Sequence, residues 1–192
     1  GNVKPLISII DSTLRQRLSY EIIAVNDGSN DDTGELLRKL STEYPIHILE
    51  HTRNKGIATA LQTGLSEAIK RSLDEDLIFT MDSDNTHDPR YVLDMAKAAK
   101  KADIVIGSRY VKNGKQLNVP LHRVILSKAV NFLARRMVKL PVRDATSGYR
   151  CFKAAALKRL SMVSKHGFIE SKGFEVSLEV LAKTFWCNST IE

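Results

Sequence analysis

The amino-acid sequence predicts an α/β fold, with a mostly parallel sheet flanked by helices. Short apolar runs alternate with helical patterns along the first half of the chain, an order typical of parallel sheets with right-handed crossovers. Each apolar run is nearly continuous, as expected of strands covered on both faces. Polar clusters follow two of the runs, at the strand ends where such sheets bind ligands. The 192 residues suffice for a single domain with a sizeable core.

The secondary-structure elements are predicted in chain order from these patterns. A helix is predicted first, over Pro5–Arg17, and four apolar runs then predict strands over Tyr20–Asn26, Ile46–Glu50, Leu77–Met81 and Asp103–Gly107. Between them, apolar residues at helical spacing predict helices over Thr33–Glu43, Ile57–Ser72 and Pro89–Lys101. A proline in the first turn of a helix, as in the last of these, is tolerated. In the later part of the chain we predict a basic amphipathic helix over Pro120–Leu140 and a short strand over Tyr149–Phe152. Two further helices follow.

Charge is unevenly distributed along the chain, whose formal net charge is +7. Residues 1–108 hold 13 basic and 17 acidic side chains, whereas residues 109–192 hold 16 basic and 5 acidic ones. A basic half of this kind suits nucleic acid, anionic lipid or a phosphorylated substrate. Nucleic acid is the weakest match, because the interleaved aromatic residues of stacking platforms and zinc-finger or RNP-like motifs are missing. We therefore expect no nucleic-acid partner.

Cysteine content and hydropathy exclude other classes of protein. The two cysteines, Cys151 and Cys187, provide neither a disulfide framework nor a Cys-rich metal module, and they fit a reducing compartment. No apolar run approaches the roughly 18 to 20 residues that span a bilayer. We expect a chain that is soluble or peripheral to a membrane.

The most distinctive polar cluster is Asp82-Ser83-Asp84, directly after a predicted strand. Two carboxylates in this spacing can approach one hard cation, and Mg²⁺ or Mn²⁺ bound in this way can also hold a diphosphate. A solvated turn is the simpler alternative. An EF-hand loop is excluded, because His87 and Leu93 stand where that loop needs glycine and glutamate.

A haloacid dehalogenase-type phosphatase remains a second possibility. Asp82, Asp84 and Thr86 satisfy the D-x-D-x-T pattern in which its nucleophile and acid follow a strand. That fold also needs a downstream acidic pair for magnesium, and past Asp103 the only aspartate is Asp144.

Seven segments run in order along nearly the whole chain: YEIIAVNDGSNDDT, NKGIATALQTGLSEA, MDSDNTHDP, DIVIGSRY, PLHRVILS, DATSGYRCF and GFEVSLEVLAK. In order and approximate spacing they resemble the motifs of family 2 glycosyltransferases, most of all the dolichyl-phosphate mannosyltransferase branch. The resemblance implies a single nucleotide-binding domain of the glycosyltransferase A type over residues 1–192. It also implies inverting transfer of a sugar, mannose or glucose, from a nucleotide diphosphate sugar to a polyprenyl or dolichyl phosphate or another acceptor.

The resemblance implies donor and metal residues in residues 1–108. Asp27 would accept hydrogen bonds from the donor base, and Asn54, in the loop before a helix, would also bind the donor. Asp82 would lie near the ribose and the metal, and Asp84 would bind Mg²⁺ or Mn²⁺ on the diphosphate. Thr86 would be at most a secondary metal ligand, as would His87.

Acceptor residues are implied in residues 109–192. Arg109, Arg123 and Ser127 resemble a grip on the acceptor phosphate, for which the planar arginine fork is well suited. Asp144 would act as a base only for a hydroxyl acceptor and would otherwise position other groups, because a lipid phosphate is already anionic.

The sequence departs from the family pattern at four points. A first strand ending in a Pro-x-Tyr-Asn-Glu-like turn is expected before the first helix and is missing, and a further strand is expected beyond Glu192. Asn26 replaces an aspartate, and Thr86 stands where close members can have glutamine. We therefore expect an unpaired sheet position beside Ile22, Ile23 and Val25.

Peripheral membrane contact is expected from the amphipathic stretch Pro120–Leu140, whose basic side chains could face anionic headgroups. Packing of this stretch on its own domain is the alternative. With a lipid phosphate acceptor, the expected location is cytoplasmic, at the cytoplasmic face of a membrane. A non-catalytic nucleotide-binding domain is the third possible function.

Overall fold

The computed structural model describes residues 2–108, 136, 140–142, 144–164, 167–173 and 175–192. The described elements, in chain order, are α1 (Val3–Leu14), β1 (Ile22–Asn26), α2 (Thr33–Leu40), β2 (Ile46–Glu50), α3 (Ile57–Arg71), β3 (Leu77–Thr80), a short 3₁₀ helix (Pro89–Tyr91), α4 (Val92–Ala98), β4 (Ile104–Ile106), β5 (Arg150–Lys153), α5 (Ala154–Val163) and α6 (Val176–Trp186). The predicted α/β class and the predicted alternation of strands and helices are confirmed.

The described strands form two sheets. β1 and β2 pair in parallel, from Ile22 opposite Ile46 to Asn26 opposite Glu50. In the second sheet β5 lies between β3 and β4 and runs antiparallel to both. β3 and β4 are therefore parallel to each other, as their crossover predicts, and β5 is the exception to the predicted parallel direction.

Helices α1 and α3 each pack against both sheets. Ile7 of α1 packs in the cluster that covers β1 and β2, whereas Leu14, two turns later, packs in the cluster beside β3. In α3, Gly64 approaches the side chain of Val25 in β1, and Leu65 belongs to the main core around β3 and β5. Both sheets therefore share the same covering helices.

Several predicted boundaries shift in the structure. The helix predicted over Pro89–Lys101 divides into a 3₁₀ helix and α4, and the Asp88 carboxylate caps the first of them by accepting the N–H of Arg90. β1 and β2 are mostly half-buried rather than fully buried, since among the described residues their ladder has two strands and both of its edges are unpaired. The helix predicted over Pro120–Leu140 lies almost entirely outside the described residues. Within the described part, no helix is long and apolar enough to cross a bilayer.

The two sheets leave an open position between them. Of the described residues, none pairs with β1 on the edge away from β2, and none pairs with β3 on the edge away from β5. The expectation of an unpaired sheet position beside Ile22, Ile23 and Val25 is confirmed for the described part, where these three side chains are only half-buried. Unpaired strand edges expose backbone N–H and C=O groups that favour pairing with another strand.

A β-forming segment fused ahead of α1, ending in Pro-x-Tyr-Asn-Glu, should therefore raise the melting temperature. We expect an increase of about 3 °C or more, because a new ladder would satisfy the open edges. A glycine-serine segment of the same length is the control. Equal melting temperatures for the two fusions would contradict the interpretation of this edge.

Candidate functional site

The loop after β1 is fastened to the loop after β2 through Asp27. One carboxylate oxygen, Oδ1, lies 2.6 Å from His51 Nδ1 and accepts the backbone N–H of Lys55 at 3.0 Å. The other, Oδ2, accepts the N–H of Gly56 at 2.8 Å. Asn54 reinforces the turn, since its side-chain oxygen also accepts the N–H of Gly56, at 3.0 Å. Both oxygens of Asp27 therefore hold the segment that begins α3.

Hydrogen bonding keeps Asp27 ionised. Burial would raise the pKa of Asp27, but the hydrogen bonds from His51, Lys55 and Gly56 outweigh it and hold the pKa below its ordinary value. The side chain retains 19% of its exposure. A carboxylate has about four acceptor positions; the described residues occupy three of those on Asp27 and leave one for a ligand.

Asn26, which replaces the aspartate of the family pattern, has a structural role in the turn. It is buried, its side-chain oxygen accepts the N–H of Ser29 at 3.1 Å, and its amide points to Glu50 at 3.5 Å. The substitution therefore preserves a hydrogen-bonded turn after β1 without a second negative charge.

The loop after β3 presents two carboxylates to solvent. The Asp82 side chain is 53% exposed, and Asp84 is also exposed. Asp84 Oδ1 accepts the backbone N–H of Thr86 at 2.9 Å and its hydroxyl at 2.6 Å. Burial would raise the pKa of Asp84, but these two bonds prevail and lower it. Thr86 thus holds one oxygen of Asp84 in place, and the contacts of the described residues leave Oδ2 for a ligand.

His87 and Tyr149 pack against each other and hold this loop. The backbone N–H of Asp82 donates to His87 Nδ1 at 3.0 Å, and the imidazole stacks on the Tyr149 ring with 5.0 Å between centroids. The Tyr149 hydroxyl donates to the Asp88 carbonyl at 2.9 Å. The far end of the acidic loop is therefore held by Tyr149, directly before β5, and the bond from Asp82 to His87 ties the start of the loop to that end.

The acidic loop and the start of α3, which Asp27 holds, both reach one cavity. A space of about 70 Å³ lies at the carboxyl end of β3 and is lined by Asp82, by Arg150 on β5 and by the first turns of α3 and α6. Ile57 also lines it, directly after the Gly56 that Asp27 holds. The Asp27 loop and the acidic loop therefore contribute to the same edge of the molecule.

The two exposed carboxylates fit a divalent metal ion of the Mg²⁺ or Mn²⁺ type. Their donors are ionised oxygens, as hard cations prefer, and Asp84 is held ionised by Thr86. Among the described residues, no group of three or more His, Cys, Asp or Glu side chains gathers at one point. In this part of the chain Asp82 and Asp84 would therefore act as a pair, and a diphosphate would have to supply further oxygen ligands.

Asp144 is buried rather than open to a substrate. The residue is 1% exposed, and its Oδ1 accepts the Thr146 hydroxyl at 3.3 Å. Burial lowers the pKa of Arg150 to about 9, and the negative charge of Asp144 opposes that shift. Arg150 donates to the carbonyls of Ala145, at 2.7 Å, and Ser177. A general base must reach the proton it removes, so this location favours the positioning role for Asp144.

Some predicted site residues lie outside the described part of the chain, and the structure places three further residues beside those that lie within it. Arg109, Arg123 and Ser127 lie outside the described residues. The additions are His51, Tyr149 and Arg150, which contact predicted site residues or neighbouring segments from distant parts of the sequence. A buried polar residue directly after a strand, such as His51, is a weak signal in a sequence, because surface histidines occur at such positions too.

Comparison with known protein families decides between the interpretations of the D-x-D loop. The model of the family described as Glycosyl transferase family 2 matches residues 3–161. The chain belongs to glycosyl transferase family 2. The match includes both the Asp27 loop and the acidic loop, and nothing in the comparisons supports the alternative of a haloacid dehalogenase-type phosphatase.

Curated relatives of this family 2 chain include polyprenol-phosphate sugar transferases. The chain is 34% identical over 187 residues to a dolichol-phosphate mannosyltransferase of Pyrococcus furiosus, covering 95% of the chain and 49% of the relative. It is 32% identical over 165 residues to an undecaprenyl-phosphate mannosyltransferase of Micrococcus luteus, covering 85% and 65%. The chain thus spans about half to two thirds of the length of these relatives.

Solved structures show the same fold. Glucosyl-3-phosphoglycerate synthase from Mycobacterium tuberculosis, in complex with Mn²⁺, UDP-glucose and phosphoglyceric acid, superimposes with a TM-score of 0.62 at 20% identity, covering 96% of this chain and 61% of that one. S. aureus TarS in complex with UDP superimposes with a TM-score of 0.60 at 17% identity, covering 99% and 54%. The glycosyltransferase A-type architecture expected from the sequence is confirmed.

Proposed function

We propose that this chain forms the catalytic domain of a metal-dependent, inverting glycosyltransferase. The donor is a nucleotide diphosphate sugar carrying mannose or glucose, and the acceptor is a polyprenyl or dolichyl phosphate. The identity of 31% to 34% with three polyprenol-phosphate or related mannosyltransferases supports this substrate class. The Mn²⁺ and UDP-glucose bound by a fold neighbour support the choice of metal and of donor type.

One observation of the structure carries the proposal. Asp82 of the acidic loop lines a cavity at the carboxyl end of β3 together with Ile57, which directly follows the Gly56 that Asp27 holds. The crevice at strand ends is where open α/β sheets bind nucleotides. In this arrangement the Asp27 loop receives the base and Asp82 lies toward the ribose and diphosphate. Asp84 offers its free oxygen to the cation that accompanies the diphosphate.

The reaction is one in-line displacement at the anomeric carbon, through an oxocarbenium-like transition state. The acceptor phosphate oxygen forms the new bond as the bond to the nucleotide diphosphate breaks, and negative charge grows on the leaving group. A divalent cation bound there supplies Lewis-acid stabilisation of that charge. The chain's own residues orient the donor and hold the carboxylates in place. An anionic acceptor requires no general base, in agreement with a buried Asp144.

A screen of GDP-sugars and UDP-sugars with Mn²⁺ and a polyprenyl phosphate tests this function. Release of nucleotide diphosphate together with formation of a glycolipid would support it. A phosphatase would instead release inorganic phosphate from phosphomonoesters without any sugar donor. A non-catalytic binding domain would bind nucleotide and show neither reaction.

The acceptor phosphate is assigned to Arg109, Arg123 and Ser127. If the two arginines grip a lipid phosphate, Arg109→Ala or Arg123→Ala should lower transfer to polyprenyl phosphate by about tenfold or more, because each removes a charge-assisted contact. Hydrolysis of the donor by water should change little, since water does not use the grip. The two rates, measured on the same preparation, check the assignment. Equal losses in both reactions would contradict it.

Contact with a membrane surface follows from a lipid-bound acceptor. We assign it to the stretch Pro120–Leu140, at the cytoplasmic face. Sedimentation of the chain with vesicles containing anionic lipid, against vesicles of neutral lipid, tests this assignment through the basic residues of the stretch.

A further inference from the structure

His51 is the one member of the loop after β2 that turns inward. Its side chain is 7% exposed, whereas residues 52–55 are all exposed. Both ring nitrogens are engaged: Nδ1 lies 2.6 Å from Asp27 Oδ1, and Nε2 lies 3.0 Å from the Thr63 hydroxyl on α3. The backbone N–H of His51 also donates to the Asn26 carbonyl at 2.9 Å. One residue therefore joins the ends of β1 and β2 to α3.

The chemistry of this pair fixes the direction of its hydrogen bonds. An ionised carboxylate can only accept hydrogen bonds, so the proton of the His51 ring lies on Nδ1, and this N–H donates a hydrogen bond to Asp27. The Thr63 hydroxyl, which can donate or accept, satisfies Nε2. With its ring held at both ends, His51 restricts the rotation of the Asp27 carboxylate. That carboxylate is then presented to the N–H groups of Lys55 and Gly56.

We propose that His51 is a positioning residue of the donor site. It acts through Asp27, whose orientation fixes the loop of residues 53–56 and the first turn of α3, and that turn lines the cavity beside Asp82. Without His51, the Asp27 carboxylate would become more exposed to solvent and would lose its alignment with the N–H groups of Lys55 and Gly56. The inference rests on the proposed function, because it assumes that the donor nucleotide binds at these loops.

The chain contains a matched histidine that serves as a control. His47 lies on β2, four residues before His51; its side chain is 35% exposed and approaches only the Glu67 carboxylate among the described contacts, at 3.4 Å. A single partly exposed contact of this type between a histidine and a carboxylate contributes little to stability. Replacing His47 therefore removes a histidine and a carboxylate contact from β2 without touching the Asp27 loop.

Four variants of the full chain test the proposal: His51→Ala, His51→Asn, His51→Gln and His47→Ala. The asparagine amide can occupy the place of Nδ1 and donate to Asp27, whereas the glutamine amide reaches the place of Nε2 and Thr63. We expect His51→Ala and His51→Gln to weaken Mn²⁺-dependent binding of GDP or UDP, measured by calorimetry, about tenfold. Donor KM should rise with kcat nearly unchanged. His51→Asn and His47→Ala should bind like the wild type.

Trypsin provides a second measurement on the same variants. Arg53 and Lys55 are exposed cleavage sites within the loop that Asp27 holds. Cleavage at these two residues should be faster in His51→Ala than in His51→Asn, and nucleotide should protect the wild type. If His51→Ala does not fold, the comparison of the asparagine and glutamine variants carries the test.

The outcomes separate the inference from the proposed function. A wild type that binds nucleotide, together with a His51→Ala variant of equal affinity, would overturn the inference alone. An equal loss of affinity in His51→Asn and His51→Gln would also overturn it, since recovery through the Nδ1 position is the specific claim. A wild type that binds no nucleotide would overturn the proposed function and the inference with it.

Discussion

Replacing Asp84 with asparagine should abolish Mn²⁺-dependent nucleotide binding and leave the fold intact. Asparagine keeps an oxygen that can accept from the N–H and hydroxyl of Thr86, which Asp84 accepts at 2.9 and 2.6 Å. It removes the negative charge that a hard cation requires. We expect the affinity for GDP or UDP in the presence of Mn²⁺ to fall about 100-fold or more, equivalent to about 2.7 kcal/mol. Calorimetry with and without Mn²⁺ measures this effect.

The melting temperature of Asp84→Asn should stay close to that of the wild type, because the residue is exposed. Asp94→Asn is the matched control: it removes an exposed carboxylate on α4 that pairs only with Lys97 at 3.0 Å among the described contacts. This control should retain full metal-dependent affinity. If Asp84→Asn keeps the wild-type affinity for GDP or UDP in the presence of Mn²⁺, the assignment of a metal ion to the D-x-D loop is wrong.

The strands were predictable where local signals agreed. β2 is found at its predicted bounds, Ile46–Glu50, because its apolar run lies between Pro45 and a polar loop. The direction of β5 was not predictable in this way. Its position between β3 and β4 depends on pairing with distant segments, for example Arg150 with Thr80, 70 residues away, and with Ile106, 44 residues away. An apolar run contains no information about the direction of its neighbours.

The location of the acidic pair after a strand was predictable, whereas the contacts that the fold gives Asp27 and Asp144 were not. Asp82 and Asp84 lie exposed after β3, as their spacing predicts. Asp27 was predicted to face a ligand, yet three of its acceptor positions serve residues more than twenty positions away. Asp144 was considered as a base and is buried. In both cases the role depends on which loops the fold brings together, and a motif specifies only the residue types.

Gly28, in the Asp27 loop, lies against the backbone of the loop after β2, and its own backbone φ of +70° lies in the left-handed region. A Cβ atom at this position would lie 2.3 Å from the Arg53 carbonyl carbon and 2.5 Å from the Asn54 backbone nitrogen. These neighbours are backbone atoms, so a side chain cannot be accommodated by a change of rotamer. The loop of residues 53–56 would have to move away from Asp27.

Gly28→Ala should therefore lose nucleotide binding as well as stability. We expect a destabilisation of about 2 to 3 kcal/mol from the left-handed backbone and the displaced loop, and a loss of affinity for GDP or UDP of about 100-fold, because Lys55 and Gly56 would leave the Asp27 carboxylate. Gly167→Ala is the control: its φ is +94°, but its nearest neighbour is the Gln62 side chain, at 3.3 Å. That variant should be destabilised and still bind nucleotide. Denaturant unfolding measures the loss of stability in both variants, and calorimetry measures the loss of nucleotide affinity. A Gly28→Ala chain that binds nucleotide like the wild type would show that the contact between these loops does not shape the donor site.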